Sequence, residues 1–289
     1  MPSLSAWAGG ARPRTLPAAL APVLAGTGVA AWADSASLVR ALLAAVVALS
    51  LQVAVNFAND YSDGVRGTDD HRVGPTRMTA SGVVAPTAVK QAAFLSFAVA
   101  AVAGLVLCAI AGTWWLLAVG ALSMVAAWFY TGGRHPYGYS GLGEVGVFVF
   151  FGLVATLGTA YTQTGTVSVP GVLAAGGIGF LACGLLMINN IRDIDTDQET
   201  GKRTLAVRLG QQRARRMYVV FLSLGVALPV LIAFWAPMVL LLAIAAFPVV
   251  VLSARVLDGA TGHDLIVVLR DTGFLELLLG IGLAVTLTV

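Results

Sequence analysis

The sequence predicts an all-α, polytopic membrane protein, a bundle of about nine transmembrane helices with an active site on its cytoplasmic side. Hydrophobic residues make up 58% of the 289 residues, charged residues only 11%, and the mean hydropathy is +0.88. Several apolar runs approach or exceed the roughly 18 to 20 residues that cross a bilayer. These runs are continuous, whereas a β-barrel needs short alternating segments. Residues 1–289 are interpreted as one intramembrane domain, because no linker or low-complexity stretch interrupts them.

Nine spans are expected, joined by connections that alternate between short and long. Their limits are 16–33, 39–60, 87–110, 113–131, 142–161, 171–191, 214–234, 237–255 and 270–288. Gly112-Thr113 and Ala236-Pro237 are examples of the tight connections on one side of the membrane. The long connections on the other side are 61–86, 132–141, 192–213 and 256–269.

The basic residues predict the orientation of these spans. Of the 17 Lys and Arg residues, only Arg40 falls on the side of the short connections. Because cytoplasmic loops carry an excess of Lys and Arg, the N-terminus and the long loops are expected in the cytoplasm. This indicates an integral protein of a bacterial plasma membrane, surrounded by membrane lipid. The net charge of +3 then reflects topology and not a nucleic-acid partner.

A first polar cluster stands at the end of the second span. Asn56, Asp60 and Asp63 are spaced i, i+4 and i+7, so they share one helix face if the helix continues to Asp63. Polar groups at the edge of a membrane helix often mark function, and a row of oxygen ligands suits a hard divalent cation. The alternative is that these residues only cap and solvate the helix end.

A second cluster repeats this spacing near the end of the sixth span. Asn189 and Asp193 match Asn56 and Asp60, and Asp197 adds a further step of four residues. Four spans separate the clusters, so both reach the same side of the membrane. Facing carboxylates repel unless a positive group lies between them. Mg²⁺ together with a phosphorylated ligand would supply one, whereas capping would have to occur twice at matching positions.

The position of the clusters indicates the substrate class. A diphosphate at the membrane boundary with apolar spans behind it has the shape of a polyprenyl diphosphate. Mg²⁺ and basic groups would stabilise the departing pyrophosphate, and the bundle would shield the allylic cation until an electron-rich acceptor attacks. An ion-coupled transporter is the alternative of another class, but its site is expected near the bilayer midplane.

The two clusters resemble the Asp-rich motifs of the UbiA-type intramembrane prenyltransferase superfamily, a family of nine-helix bundles. Asn59-Asp60-x-x-Asp63 fits the first motif, except that Gly67 stands where an acid is usual and Asp69 follows two residues later. That shift resembles the menaquinone-pathway branch. The resemblance implies transfer of a polyprenyl group from polyprenyl diphosphate to 1,4-dihydroxy-2-naphthoate, with loss of pyrophosphate and carbon dioxide. Acceptors such as 4-hydroxybenzoate, a tetrapyrrole or a phosphosugar remain alternatives within the same fold.

The resemblance also implies roles for individual residues. The expected Mg²⁺ ligands are Asn56, Asp60, Asp63, Asp69, Asn189, Asp193 and Asp197. The expected substrate-binding residues are Asn59, Arg72, Arg77, Arg134 and Lys202. Four of the aspartates, Asp60, Asp63, Asp193 and Asp197, would act in catalysis. Tyr130 would stabilise the cation or the acceptor, although tyrosines are also common at membrane interfaces. Arg134 and Glu144 would bind the carboxylated acceptor or order their loop.

Overall fold

The computed structural model describes residues 3–68 and 77–289, and helices dominate both ranges. The α-helices are α1 (Leu4–Ala11), α2 (Leu16–Trp32), α3 (Leu38–Arg66), α4 (Pro86–Ala111), α5 (Leu116–Phe129), α6 (Gly143–Val147), α7 (Ala155–Thr164), α8 (Val169–Arg192), α9 (Ile194–Glu199), α10 (Leu205–Leu209), α11 (Gln211–Val230), α12 (Ala246–Leu257) and α13 (Gly262–Thr286). A π-helix, Phe148–Val154, joins α6 to α7. Short 3-10 helices occur at Pro13–Thr15, Tyr137–Ser140, Leu231–Phe234 and Pro237–Ala245.

The predicted all-α membrane fold is confirmed. In the described ranges, seven helical segments are long and apolar enough to cross a membrane. They are Leu4–Trp32, Leu38–Arg66, Pro86–Ala111, Gly143–Thr164, Val169–Arg192, Gln211–Phe234 and Pro237–Leu257. The other two predicted spans correspond to α5, which is apolar but only 14 residues long, and to α13. The prediction of about nine spans therefore agrees with the helices as an approximation.

The last span was predicted to begin at residue 270, but α13 begins at Gly262. The prediction placed residues 256–269 in a long connection between the last two spans. In the structure α13 already includes Asp264, and in its third turn Asp271 pairs with Arg270 at 2.8 Å and with Arg255 of α12 at 3.8 Å. A helix that extends out of the apolar layer keeps its hydrogen bonds, so hydropathy alone underestimates its length.

Helix α8 forms the centre of the bundle and packs against α2, α11, α13 and the π-helix. Glycines allow these contacts. A side-chain carbon added to Gly177 would lie 2.2 Å from Pro229 of α11. One added to Gly152 in the π-helix would lie 2.5 Å from the Cα atom of Gly179. The glycine-rich composition thus permits helices to approach at backbone distance, as expected for membrane bundles.

The two polar clusters, residues 56–63 and 189–197, are here called the first and second acidic segments, and they differ in their backbone. Helix α3 continues without a break to Arg66, so Asn56, Asp60 and Asp63 share one face. Helix α8 ends at Arg192 and α9 begins at Ile194. The break is slight, because the N–H of Asp193 still donates to the carbonyl of Asn189, and that of Asp197 to Asp193.

Gly67 has a structural explanation. It caps α3 in the left-handed conformation, with φ of 72°, and its N–H bonds to the carbonyl groups of Asp63 and Gly64. Residues with a side chain rarely adopt this conformation, whereas glycine adopts it freely. An acid at this position would therefore strain the end of the helix.

Candidate active site

Both acidic segments line one cavity of about 1070 Å³ between the helices. Its polar end is formed by Asn56, Asn59, Asp60, Asp63, Asn189, Asp193, Asp197 and Lys202. Most of the remaining wall is aliphatic or aromatic and comes from α2 to α5, the π-helix, α7 and α8. The cavity extends to Trp115 and Tyr161, which lie at the ends of α5 and α7 far from the acidic residues. The rings of Trp115 and Tyr161 contact each other edge to face at 5.3 Å.

Asp60 anchors the chain that follows α3. Its two carboxylate oxygens accept hydrogen bonds from the backbone N–H groups of Met78, at 3.0 Å, and Thr79, at 2.9 Å. Only 1% of Asp60 is exposed. Hydrogen bonds to a charged acceptor are stronger than neutral ones, so Asp60 fixes the segment that carries Arg77 at the cavity.

Lys202 lies between the two acidic segments. Its Nζ is 3.7 Å from Oδ2 of Asp63 and 3.9 Å from Oδ1 of Asp197, and it sits 4.8 Å from the centre of the Tyr139 ring. The Tyr139 hydroxyl donates to Asp63. Burial, followed by the charge of Asp63, raises the pKa of Tyr139, so this phenol keeps its proton. Lys202 and Tyr139 together connect the end of α3 to α9.

Asp193 is held by its neighbour in sequence. Arg192 makes a two-pronged contact with the Asp193 carboxylate, with both N–O distances at 2.7 Å, and also donates to Oδ1 of Asn189 at 2.9 Å. Such bidentate pairs fix geometry as well as charge. Arg192 therefore orients two of the predicted metal ligands.

Asn56 connects α3 to the N-terminal segment. Its amide nitrogen donates to the carbonyl of Ala11 at 2.9 Å and to Oγ1 of Thr15 at 3.0 Å, and its oxygen accepts from Gln52 at 3.4 Å. Asn56 is only 3% exposed. These bonds hold the turn between α1 and α2 over the polar end of the cavity.

Asn59 and Arg66 bind the chain that follows α5. Oδ1 of Asn59 accepts from the hydroxyl of Thr131 at 2.8 Å, and Arg66 donates to the carbonyl groups of Thr131 and Gly133. Arg66 also lies 5.5 Å from the centre of the Tyr139 ring. The segment after α5 is thereby held beside Asp63.

The remaining predicted site residues divide into three groups. Tyr130 and Arg77 line the cavity. Arg134 is exposed and is not among the lining residues, so its predicted role in acceptor binding receives no geometric support. Asp69 and Arg72 lie outside the described residues, and their predicted roles remain predictions.

Sequence reasoning did not assign Tyr139, Tyr137 or the N-terminal turn to the site. Tyr139 and Tyr137 line the cavity, and burial raises the pKa of Tyr137 to about 12. Arg12 and Arg14 line it from the N-terminal turn. The available signal was the density of aromatic and glycine residues in 130–143, in a loop already predicted to share the side of the clusters.

The donor set at the polar end suits Mg²⁺, which prefers carboxylate and other oxygen ligands. Among the described residues, however, no three Asp, Glu, His or Cys side chains converge closely enough to form a ready metal site. The contacts above give the reason. Asp60 and Asp193 are engaged by backbone amides and by Arg192, and the Lys202 ammonium lies between Asp63 and Asp197.

Comparison with protein families identifies the fold. Residues 19–265 match the model of the UbiA prenyltransferase family. The chain belongs to this family. It is 49% identical over 284 residues to 1,4-dihydroxy-2-naphthoate octaprenyltransferase of Mycobacterium tuberculosis, covering 98% of this chain and 97% of that protein. It is 42% identical over 223 residues to the Escherichia coli enzyme of the same name, covering 75% and 72% of the two chains.

Solved structures agree with the family assignment at the level of the fold. A UbiA homolog from Archaeoglobus fulgidus, bound to GPP and Mg²⁺, superimposes with a TM-score of 0.73 at 14% identity, covering 98% of this chain and all of that chain. A UbiA homolog from Aeropyrum pernix superimposes with a TM-score of 0.71 at 17% identity, covering 93% and 96%. Family membership does not favour the ion-coupled transporter.

Proposed function

We propose that the chain transfers a polyprenyl group from polyprenyl diphosphate to 1,4-dihydroxy-2-naphthoate and releases pyrophosphate and carbon dioxide to give demethylmenaquinone. The observation that carries this proposal is that one cavity has both acidic segments at its polar end and an aliphatic wall behind them. The 49% identity to 1,4-dihydroxy-2-naphthoate octaprenyltransferases, which extends over at least 98% of this chain, supports the choice of acceptor.

The donor chemistry of the polar end fits Mg²⁺, as in the Archaeoglobus fulgidus homolog. Asn56, Asp60, Asp63, Asn189, Asp193 and Asp197 would hold the metal, and Asp69 is the further candidate. Bound Mg²⁺ would neutralise charge on the departing diphosphate. The chain itself would supply Arg77, Arg192 and Lys202 to the phosphate oxygens.

The transfer itself balances without a redox partner and gives the reduced form, demethylmenaquinol, and a separate two-electron oxidation outside this site then gives demethylmenaquinone. The allylic C–O bond breaks and its electron pair leaves with the diphosphate. The ring carbon that bears the carboxylate donates a pair to the allylic carbon, and the carboxyl group then leaves that carbon as carbon dioxide and returns its bonding pair to the ring. The apolar wall would exclude water from the allylic cation, and the ring of Tyr130 would stabilise it.

The placement in the membrane follows from the basic residues. We propose a bacterial plasma membrane protein whose N-terminus and polar cavity end face the cytoplasm, where both substrates would arrive. The bias of Lys and Arg toward the long connections supports this orientation. The test fuses a reporter that is active only in the cytoplasm either to the N-terminus or into the connection between α7 and α8. We expect activity from the N-terminal fusion and none from the other.

The test of the activity uses purified protein in lipid nanodiscs with Mg²⁺, farnesyl diphosphate as a short prenyl donor, and each acceptor in turn under anaerobic reducing conditions. We expect a prenylated, decarboxylated naphthoquinol with 1,4-dihydroxy-2-naphthoate and no product with 4-hydroxybenzoate. Product with 4-hydroxybenzoate but none with the naphthoate would overturn the acceptor assignment.

A further inference from the structure

One corner of the cavity is aromatic and lies beside the second acidic segment. The rings of Tyr130 and Tyr137 meet edge to face at 5.4 Å, and both line the cavity. Leu186 and Asn190, spaced i and i+4 on α8, line it as well. A side-chain carbon added to Gly143 would lie 3.2 Å from Leu186 and 3.3 Å from the Tyr130 hydroxyl. Gly143 therefore lets α6 approach these side chains. Tyr130, Tyr137, Leu186 and Asn190 are here called the aromatic corner.

A buried carboxyl group stands behind the aromatic corner. Nδ2 of Asn190 donates to Oε1 of Glu144 at 3.1 Å, and the two residues are 8% and 4% exposed. The second oxygen of Glu144 has no hydrogen-bond partner in the described part of the chain. A buried carboxyl at the start of a membrane span is costly and is usually retained for function.

The hydrogen bond to Glu144 decides which atom of Asn190 remains for a ligand. Because Nδ2 is bound to Glu144, the carbonyl oxygen Oδ1 is the free acceptor, and no group in the described ranges donates to it. An amide whose N–H bonds to a carboxyl oxygen is polarised, which strengthens its carbonyl as an acceptor. Asn190 thus offers a strong acceptor at the wall of the cavity, three residues before Asp193.

We propose that the aromatic corner is the subsite for the acceptor ring, that Asn190 accepts a hydrogen bond from a ring hydroxyl, and that Glu144 is a positioning residue for Asn190. This proposal rests on the proposed function, because it takes the acceptor to be an aromatic hydroxy acid. In 1,4-dihydroxy-2-naphthoate the 1-hydroxyl adjoins the carboxylate and bonds to it internally. The 4-hydroxyl is therefore the group available to Asn190.

The experiment measures steady-state kinetics in nanodiscs with each substrate varied separately, for wild type, Asn190→Leu, Glu144→Leu and Glu144→Gln. Asn190→Leu removes the acceptor oxygen at nearly constant volume. We expect a roughly tenfold higher KM for 1,4-dihydroxy-2-naphthoate, the value of one hydrogen bond, and an unchanged KM for farnesyl diphosphate. Glu144→Leu should give the same pattern, while Glu144→Gln, which keeps an acceptor oxygen, should return KM toward wild type.

A ligand-side comparison keeps the test independent of folding. Binding of 1-hydroxy-2-naphthoate, which lacks the 4-hydroxyl, is measured beside that of 1,4-dihydroxy-2-naphthoate. Wild type should prefer the dihydroxy compound, and Asn190→Leu should bind both with equal affinity. The matched control is Glu276→Gln, a second fully buried carboxyl that does not line the cavity, which should leave both KM values unchanged.

Two results would overturn the proposal. One is an unchanged acceptor KM in Asn190→Leu, and the other is an equal rise in the KM of both substrates, which indicates general distortion. Failure of the proposed function has a different signature, because wild type itself would then form no product with 1,4-dihydroxy-2-naphthoate.

Discussion

The two acidic segments have the same spacing in sequence but different contacts in the folded chain. In the first, Asp60 binds backbone amides and Asn56 binds the N-terminal turn, so these residues hold neighbouring chain segments in place. In the second, Arg192 binds both Asn189 and Asp193, and Lys202 lies beside Asp197. The first segment therefore holds neighbouring backbone in place and organises the cavity wall, whereas the side chains of the second contact basic side chains.

The largest effect on turnover is expected at the two aspartates that contact Lys202, one in each acidic segment. Asp63→Asn and Asp197→Asn each remove a carboxylate that faces Lys202 across the polar end. We expect each to lower kcat by roughly 100-fold or more, because the metal and the departing diphosphate lose charge stabilisation. Pyrophosphate release at saturating Mg²⁺ measures this.

The control for these variants is Asp195→Asn, an exposed acid on α9 that does not line the cavity. It should retain wild-type turnover. Activity above a tenth of wild type in both Asp63→Asn and Asp197→Asn would contradict the metal assignment at this end of the cavity.

The sequence alone predicted most of the helices, because they depend on local hydrophobic periodicity. It also predicted that the two acidic segments lie on the same side of the membrane, because this depends on counting the spans between them. The partner of each aspartate could not be predicted. Lys202 follows Asp197 by five residues, but its contact with Asp63 depends on how the turn after α9 folds back. The break at Asp193 was also missed, since helical spacing continues across it.

Asp60 and Asp193 test whether the first segment has the additional structural role. Asp60→Asn leaves one oxygen for two backbone N–H groups, and hydrogen bonds to charged groups contribute roughly 1.5–3 kcal/mol each. We expect faster hydrogen exchange at Met78 and Thr79 in Asp60→Asn and no change there in Asp193→Asn. Both should lose most Mg²⁺-dependent pyrophosphate release. Equal exchange in the two variants would remove the distinction drawn between the segments.

Lys202 provides a further test of the comparison because it contacts an aspartate of each segment. Lys202→Gln removes a cation that competes with Mg²⁺ for Asp63 and Asp197 and that would also bind diphosphate. We expect a roughly tenfold higher KM for farnesyl diphosphate together with half-saturation at a lower Mg²⁺ concentration. Titration of activity with Mg²⁺ at fixed substrate distinguishes these opposite changes. A rise in both constants would instead mean that Lys202 only maintains the structure of the site.

The smallest expected effect concerns the two asparagines. Asn56→Ala removes bonds to Ala11, Thr15 and Gln52, whereas Asn189→Ala removes a single bond to Arg192. At about 1 kcal/mol for each neutral hydrogen bond, Asn56→Ala should lower the free energy of unfolding by about 2–3 kcal/mol. Thermal unfolding in nanodiscs measures the difference. Because Asn56 holds the N-terminal turn over the cavity, only Asn56→Ala should also expose that turn to protease. If Asn189→Ala proved the less stable of the two, the first segment would not be the one that organises the wall.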